Sequence, residues 1–226
     1  METGECGRGS GGNVPAVFVK VCGITTPEDA LFAVAMGADA VGLILAPSPR
    51  QVTPDIARDI VRELPQGTLA IGVFRDERPE RILEVVEHAR LGGVQLHGHE
   101  TPAEAAAMHR RVPFLVQAFG AGDPRLDRID DYDVDAVLLD SSTPGSGVAF
   151  DWKLAERFVP GRRVILAGGL TPDNVAEAVA QVRPWGVDVA SGVEASPGRK
   201  DPVKVRHFVA NAAEALSEFP GADGSA

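Results

Sequence analysis

Eight short apolar runs recur along the 226-residue chain, and this repetition constrains the fold more than any other feature of the sequence. The runs are rich in Val, Ile, Leu and Ala, residue types that fill the buried strands of α/β proteins. Their centres lie about 21–28 residues apart, a spacing typical of a repeated supersecondary unit. The predicted strands are Ala16–Cys22, Ala40–Leu45, Thr68–Phe74, Gly93–His97, Pro113–Phe119, Ala136–Asp140, Arg163–Ala167 and Val187–Ser191.

The segments between these strands carry start signals for helices, often a threonine followed by a proline. Threonine is suited to the N-cap, and proline to the first helical position. The signal is weak after the fifth strand, so a short or distorted helix is expected there. Helix starts are predicted at Thr26, Thr53, Thr101, Thr171 and Asp201, the last of these helices running to about Leu216.

Strands that alternate with helices pair in parallel through right-handed crossovers. Eight such units predict an α/β protein that folds as a single (β/α)8 TIM barrel with a parallel eight-stranded core. An open doubly wound sheet is the alternative. The catalytic barrel domain is predicted at residues 14–218, between a disordered N-terminal tail at 1–13 and a loose C-terminal tail at 219–226.

Charge and composition argue against several classes of function. The formal net charge of −10 argues against nucleic acid or an anionic membrane as the main partner. No apolar run approaches the roughly 18 residues of a membrane-spanning helix, and the N-terminus lacks the apolar segment of a signal peptide. The two cysteines, Cys6 and Cys22, are predicted to be free thiols in a reducing cytoplasm. No Asp, Glu or His cluster has metal-ligand spacing, so no metal is expected.

Glycine-containing loops follow the last two predicted strands. In a TIM barrel the active site lies at the C-terminal ends of the strands, and the loops after strands seven and eight frequently bind phosphate through backbone N–H groups. Either loop alone could be an ordinary turn. Together, Gly168 and Gly169 after the seventh strand and Ser191 and Gly192 after the eighth favour a small phosphorylated substrate.

Cys22 ends the first predicted strand, where a cysteine is either a small buried hydrophobe or a reactive thiol. Lys20 lies two residues earlier, and strand alternation directs the two side chains to the same side. Because a nearby ammonium favours the thiolate, we expect the thiol pKa to be depressed and Cys22 to act as a base near neutrality.

Three other strand-end residues have both a structural and a functional interpretation. Asp140 ends an apolar strand, so it is either a helix cap or a carboxyl group that burial turns into a general acid. Arg50, in a Pro-rich loop, is either a solvated charge or a bidentate clamp for a carboxylate. His97 is either a structural hydrogen-bonding residue or a catalyst.

Together, the strand-end segments resemble the phosphoribosylanthranilate isomerase family of tryptophan biosynthesis, and the resemblance extends from about Val17 to Leu216. It is carried by Lys20-Val-Cys-Gly-Ile-Thr25, Pro47-Ser-Pro-Arg50-Gln-Val52, Gly72-Val-Phe74, Val94-Gln-Leu-His-Gly98, Leu139-Asp140, Gly145-Ser-Gly147, Phe150-Asp-Trp152, Leu166-Ala-Gly-Gly-Leu170, Ser191-Gly-Val-Glu194, Pro197-Gly198 and Lys200-Asp201.

The resemblance implies a cofactor-free aldose–ketose isomerase that acts as a monomer or homodimer. Its reaction would be an Amadori rearrangement, which converts N-(5′-phosphoribosyl)anthranilate into 1-(2-carboxyphenylamino)-1-deoxyribulose 5-phosphate. The resemblance makes Cys22 the general base and Asp140 the general acid. Because both groups must change protonation state, a bell-shaped pH profile is predicted.

The resemblance also assigns the residues that bind the substrate. It implies that Arg50 binds the carboxylate of the anthranilate ring and that Lys20, Gln95 and His97 line the substrate site. The phosphate is expected near Gly147, Gly168, Gly169, Ser191 and Gly192.

One loop departs from the family pattern. Ser141–Gly147 is compact and contains Pro144, where the family more often has a longer Gly-Gly-Thr-Gly run, so its phosphate contacts are left open.

Two other functions are alternatives. Related barrels that isomerise a histidine-pathway substrate have an aspartate at the position of Cys22. A non-catalytic barrel that binds a phosphorylated ligand would lack the acid or the base.

Overall fold

The structure, a computed structural model, describes residues 17–140 and 152–217. Its first half consists of β1 (Phe18–Cys22), α1 (Pro27–Ala35), β2 (Ala40–Ile44), α2 (Pro54–Glu63), β3 (Leu69–Phe74), α3 (Pro79–Ala89), β4 (Gly93–Leu96) and α4 (Pro102–His109). Its second half consists of β5 (Leu115–Gly120), a 3-10 helix (Pro124–Asp131), β6 (Ala136–Asp140), α5 (Lys153–Glu156), β7 (Val164–Leu166), α6 (Val175–Val182), β8 (Gly186–Val189), a 3-10 turn (Ser191–Val193), the small hairpin β9 (Glu194–Ser196) and β10 (Arg199–Lys200), and α7 (Pro202–Ser217).

Strands β1 to β8 form a closed barrel in sequence order, and every neighbouring pair is parallel. The predicted (β/α)8 TIM barrel is confirmed, and the open doubly wound sheet is wrong. The weak segment between β5 and β6 is a 3-10 helix with a kink at Arg128, as its sequence predicted. The predicted tails at 1–13 and 219–226 lie outside the described residues.

Three of the predicted Thr-Pro helix starts are N-caps. The hydroxyl oxygens of Thr26, Thr53 and Thr101 accept hydrogen bonds from backbone N–H groups of the first helical turn. The start at Thr171 is wrong, because α6 begins at Val175. There the side chain of Asn174 accepts from the N–H of Thr171 and donates to the carbonyl of Gly169, which closes a turn before the helix.

The core has two parts, which strand alternation separates. One part fills the space between the strands and the surrounding helices. The other is a smaller cluster of Val116, Ala118, Ala136, Leu138, Ile165 and Ala167, from β5, β6 and the end of β7. Because side chains on one side of a strand recur every second residue, this cluster identifies the positions that face the barrel interior.

Aspartates fix the N-terminal ends of two strand pairs. The carboxylate of Asp39, just before β2, accepts the N–H of Val19 in β1 at 2.8 Å. The carboxylate of Asp135, just before β6, accepts the N–H of Leu115 in β5 at 2.7 Å. Near the same end of the barrel, Phe18 stacks on Trp185 with ring centroids 4.4 Å apart. Within the described residues, no helix is long and apolar enough to cross a membrane.

Candidate active site at the barrel mouth

The C-terminal ends of the strands, here called the mouth, collect the polar side chains of the barrel interior. In β1, Lys20 and Cys22 alternate with Val19 and Val21, which belong to the outer core. Lys20 and Cys22 therefore point inwards, and both are buried. In β6, Asp140 has the same parity as the inward-facing Leu138, so its carboxyl group points into the mouth as well.

Lys20 forms an ion pair with Asp188 of β8 across the β1–β8 ladder. Its Nζ lies 3.0 Å from Oδ1 of Asp188, and the lysine side chain has no exposed surface. Burial alone would lower the pKa of Lys20, but the charges of Asp188 and Cys22 outweigh this effect and raise the pKa. Lys20 is thus held as an ammonium next to the thiol.

The expected depression of the Cys22 pKa is wrong for the substrate-free protein. Burial raises the pKa of the thiol more than the ammonium of Lys20 lowers it, and the carboxylate of Asp188 acts in the same direction as burial. The sequence pattern showed the ammonium but not the carboxylate that offsets it. Gly42 in β2 leaves the necessary space, because a Cβ there would lie 2.6 Å from Sγ of Cys22 and 3.0 Å from Nζ of Lys20.

Arg50 lies at the rim of the mouth, where it forms part of a three-residue group, the rim cluster of Arg50, Glu194 and Lys200. Nε and Nη2 of Arg50 donate to the two carboxylate oxygens of Glu194, each at 2.8 Å. Nζ of Lys200 donates to Oε1 of Glu194 at 3.0 Å. The Cδ of Arg50 passes so close to Gly23 that a Cβ there would lie 2.6 Å away. Arg50 is therefore a fixed side chain rather than a solvated loop charge.

The rim cluster also contacts the backbone at the end of β1. Nζ of Lys200 donates to the carbonyl of Cys22 at 2.6 Å and to that of Ala190 at 3.1 Å. Burial lowers the pKa of Lys200 despite its carboxylate partner. Burial alone would raise the pKa of Glu194, but hydrogen bonds and charges from Arg50 and Lys200 lower it. The cluster contains two cations and one carboxylate, so it keeps a net positive charge.

Across the mouth, Gln95, His97 and Asp140 form a second polar group. The Gln95 amide donates to Nδ1 of His97 at 2.9 Å, which leaves the proton of the neutral imidazole on Nε2. Nε2 lies 3.7 Å from Oδ2 of Asp140. Burial, followed by the charge of Lys20, lowers the pKa of His97 to about 4. At neutral pH this contact therefore joins a neutral imidazole to the carboxyl group and is not an ion pair.

The two glycine loops meet beside the mouth. Gly168 and Gly169 have φ values of 80° and 69°, a left-handed conformation that favours glycine. Gly192 follows Ser191 in the 3-10 turn after β8, and a Cβ on it would lie 1.9 Å from the carbonyl oxygen of Leu170. The loops after β7 and β8 are thus in contact only because residue 192 has no side chain. Gly147, the other predicted phosphate residue, lies outside the described residues.

Four residues of this site were not predicted from the sequence. Asp188 carried a signal, because it is a carboxylate within an otherwise apolar predicted strand, but no role was assigned to it. Glu194 and Lys200 contributed to the family resemblance without an assigned role. Gly42 had no signal in the sequence, because its function depends on which side chains lie across the β1–β2 ladder.

The comparisons with known proteins agree on one family. The sequence model of N-(5′-phosphoribosyl)anthranilate (PRA) isomerase matches residues 19–211. An N-(5′-phosphoribosyl)anthranilate isomerase from Trichlorobacter lovleyi is 50% identical over 208 residues, which cover 88% of this chain and 100% of the relative.

Solved structures agree with the sequence comparisons. The phosphoribosyl anthranilate isomerase from Thermus thermophilus superposes with a TM-score of 0.82 at 45% identity, over 88% of this chain and 99% of that one. A second structure of such an isomerase holds reduced 1-(o-carboxyphenylamino)-1-deoxyribulose 5-phosphate. Its TM-score is 0.78 at 42% identity, over 87% of this chain and 98% of that one. The similarity therefore extends over most of the barrel.

Proposed function

The chain belongs to the family of N-(5′-phosphoribosyl)anthranilate isomerases, and from this premise we propose that Cys22 and Asp140 are the base and the acid of its reaction. That reaction is an aldose–ketose isomerisation in tryptophan biosynthesis, the conversion of N-(5′-phosphoribosyl)anthranilate into 1-(2-carboxyphenylamino)-1-deoxyribulose 5-phosphate. The observation that supports the assignment is the placement of the two groups. A thiol on β1 and a carboxyl group on β6 both point into the mouth of one barrel.

Asp140 opens the sugar ring in the first step. Its carboxyl group gives a proton to the ring oxygen, the bond from that oxygen to C1′ breaks, and the nitrogen lone pair forms the Schiff base. Residue Asp140 is only 8% exposed, and the imidazole beside it is neutral. His97 therefore adds no positive charge of its own beside this carboxyl group.

Cys22 acts in the second step. Its thiolate removes the proton from C2′, and the electrons of that C–H bond form the double bond of an enolamine. The proton of the 2′-hydroxyl is then lost as C1′ gains one, which gives the ketone. Because burial raises the thiol pKa, most of the resting enzyme holds the thiol, and the positive charge of the protonated Schiff base is what favours the thiolate.

The substrate is held by groups that still have bonding capacity. Nη1 of Arg50 has no hydrogen-bond partner within residues 17–140 and 152–217, and it is assigned to the anthranilate carboxylate. Oε1 of Gln95 is buried and also has no partner in this part of the chain, so it can accept from a sugar hydroxyl. Gly168, Gly169, Ser191 and Gly192 offer backbone N–H groups to the phosphate.

The other partners are proposed by the same reasoning. A small phosphorylated molecule is the substrate, and neither nucleic acid nor a membrane is needed. The enzyme works in the cytoplasm as a monomer or a homodimer. Light scattering on the purified chain measures its mass and so distinguishes the two states.

Fluorescence-monitored turnover of phosphoribosylanthranilate tests the acid–base assignment. Cys22→Ser and Asp140→Asn should each lower kcat by about 10²–10⁴-fold, because a general acid–base step contributes roughly this much. Both should still bind reduced 1-(2-carboxyphenylamino)-1-deoxyribulose 5-phosphate in calorimetry. The matched controls are Cys6→Ser and Asp133→Asn. Asp133 is an exposed carboxylate before β6 that pairs with His109. If either active-site variant kept the turnover of its control, its assignment would be wrong.

A further inference from the structure

Within the rim cluster, Glu194 contacts both cations. Its side chain is only 4% exposed, and both oxygens are used. Oε2 accepts from Nη2 of Arg50, and Oε1 accepts from Nε of Arg50, Nζ of Lys200 and the N–H of Gly198. A buried carboxylate that receives so many charge-assisted hydrogen bonds fixes the direction of its partners.

We propose that Glu194 is a positioning residue, which holds the guanidinium of Arg50 towards the carboxylate of the substrate and the ammonium of Lys200 on the backbone carbonyl of Cys22. The inference rests on the proposed function, because it assumes that Arg50 binds that carboxylate and that Cys22 is the base.

The geometry at Arg50 explains how one carboxylate can help to bind another. Glu194 occupies Nε and Nη2, which form one edge of the planar guanidinium, and so leaves Nη1 for a second ligand. The aliphatic stem of Arg50 packs against Gly23. With two cations to one carboxylate, the cluster still attracts an anion after Arg50 has been fixed.

The geometry at Lys200 connects the same carboxylate to the base. Its ammonium donates three hydrogen bonds, to Glu194, to the carbonyl of Cys22 in β1 and to the carbonyl of Ala190 after β8. Glu194 thus determines where Lys200 bridges the two strand ends. Displacements of about 1 Å at a catalytic group can cost about 10²-fold in rate, so this support bears on Cys22 directly.

Binding of two analogues tests whether Glu194 positions Arg50 or only stabilises the fold. One is reduced 1-(2-carboxyphenylamino)-1-deoxyribulose 5-phosphate, and the other is the same molecule without its carboxylate. Calorimetry gives the ratio of their Kd values for each variant. In Glu194→Gln, which keeps the shape but loses the charge, we expect the preference for the carboxylate to fall about tenfold. Glu194→Asp should restore part of it. In an Arg50→Ala background, Glu194→Gln should change the ratio no further.

Asp29→Ala is the matched control. The carboxylate of Asp29 accepts the N–H of Lys200 at 3.0 Å, so it docks the same hairpin without a bond to Arg50. Asp29→Ala should keep the wild-type ratio. The inference is overturned if Glu194→Gln keeps that ratio, or if the control loses as much. If the wild-type protein binds both analogues equally, the proposed role of Arg50 fails first. If the Glu194→Gln protein does not fold, the ratio of the Kd values is measured in Glu194→Asp, and an unchanged ratio there overturns the inference.

Discussion

The two sides of the barrel mouth hold the proposed base and the proposed acid in opposite surroundings. On the base side, formed by β8, β1 and β2, Cys22 lies beside the ion pair of Lys20 and Asp188. Its backbone carbonyl accepts a hydrogen bond from Lys200 of the rim cluster. On the acid side, formed by β4 and β6, Asp140 lies beside a neutral imidazole that is itself held by an amide. The base side thus holds an ion pair and the rim cluster, whereas the imidazole and the amide on the acid side are neutral.

One barrel mouth can thus give a proton donor and a proton acceptor different electrostatic surroundings. Near Cys22 the charges of Lys20 and Asp188 oppose each other and the rim cluster adds a net positive charge, whereas the imidazole beside Asp140 adds no charge of its own. Each side can then respond to the charge that appears on the substrate. The following predictions change one side at a time.

The largest expected effect comes from breaking the ion pair of the base side. Asp188→Asn leaves the fully buried ammonium of Lys20 without its carboxylate, and an unpaired buried charge costs about 3–5 kcal/mol. Chemical denaturation should show this loss in the free energy of unfolding. The double variant Lys20→Met/Asp188→Asn should lose less, because it removes both charges. Equal losses of unfolding free energy in the single and double variants would mean that the unpaired charge of Lys20 is not the cause.

A smaller effect is expected on the acid side, and it depends on pH. His97 has a pKa of about 4 in the folded chain and an ordinary value of 6.5, so between these values the unfolded chain takes up a proton that the folded chain excludes. The free energy of unfolding should therefore fall as the pH falls from 6.5 to about 4. After allowance for partial exposure, the loss is about 2–3 kcal/mol.

Urea denaturation at the two ends of this pH window measures that loss. His97→Gln should remove most of it, because no titrating group remains at the position. His99→Gln should retain it, because the His99 side chain is 79% exposed. The same slope in both variants would show that the acid sensitivity arises elsewhere.

The smallest effect concerns the thiol itself. Asp188 raises the pKa of Cys22, so Asp188→Asn should lower that pKa. Ultraviolet absorbance of the thiolate follows the titration, in a Cys6→Ser background that leaves a single thiol. The charged groups around the thiol in the described part of the chain are Lys20, Asp188, Arg50 and Lys200. His97→Gln, on the other side, should leave the titration unchanged; an equal shift there would remove the distinction between the two sides.

Much of the architecture could be predicted from local patterns. The alternation of apolar runs and helical segments gave all eight barrel strands, because each run must be buried on both faces in a parallel barrel. Three Thr-Pro starts were correct because an N-cap depends on the residues next to it. The start at Thr171 failed because Asn174 bonds back to the loop after β7.

Three aspartates show what a local sequence pattern cannot predict. Asp39, Asp135 and Asp188 lie in similar Asp-Ala-Val or Asp-Val contexts near the beginning of a strand. Asp39 and Asp135 precede their strands and accept a backbone N–H from a neighbouring strand. Asp188 lies within β8 and pairs with Lys20 inside the barrel. The predicted strand bounds already place Asp39 and Asp135 before a strand and Asp188 within one. The partner that each carboxylate meets depends on the register of the ladder, which the local sequence does not contain.

The sequence by itself determined the barrel, the strand ends that carry Cys22 and Asp140, and the resemblance that links them to a reaction. Only the tertiary structure decided the electrostatic setting of those groups. The pKa of a thiol depends on every charge and every buried surface around it, and here the decisive partners are 166 and 178 residues away in the chain, at Asp188 and Lys200. Alternation along one strand predicts a neighbour on that strand, whereas closure of the barrel brings β8 against β1 and turns a lone ammonium into a compensated pair.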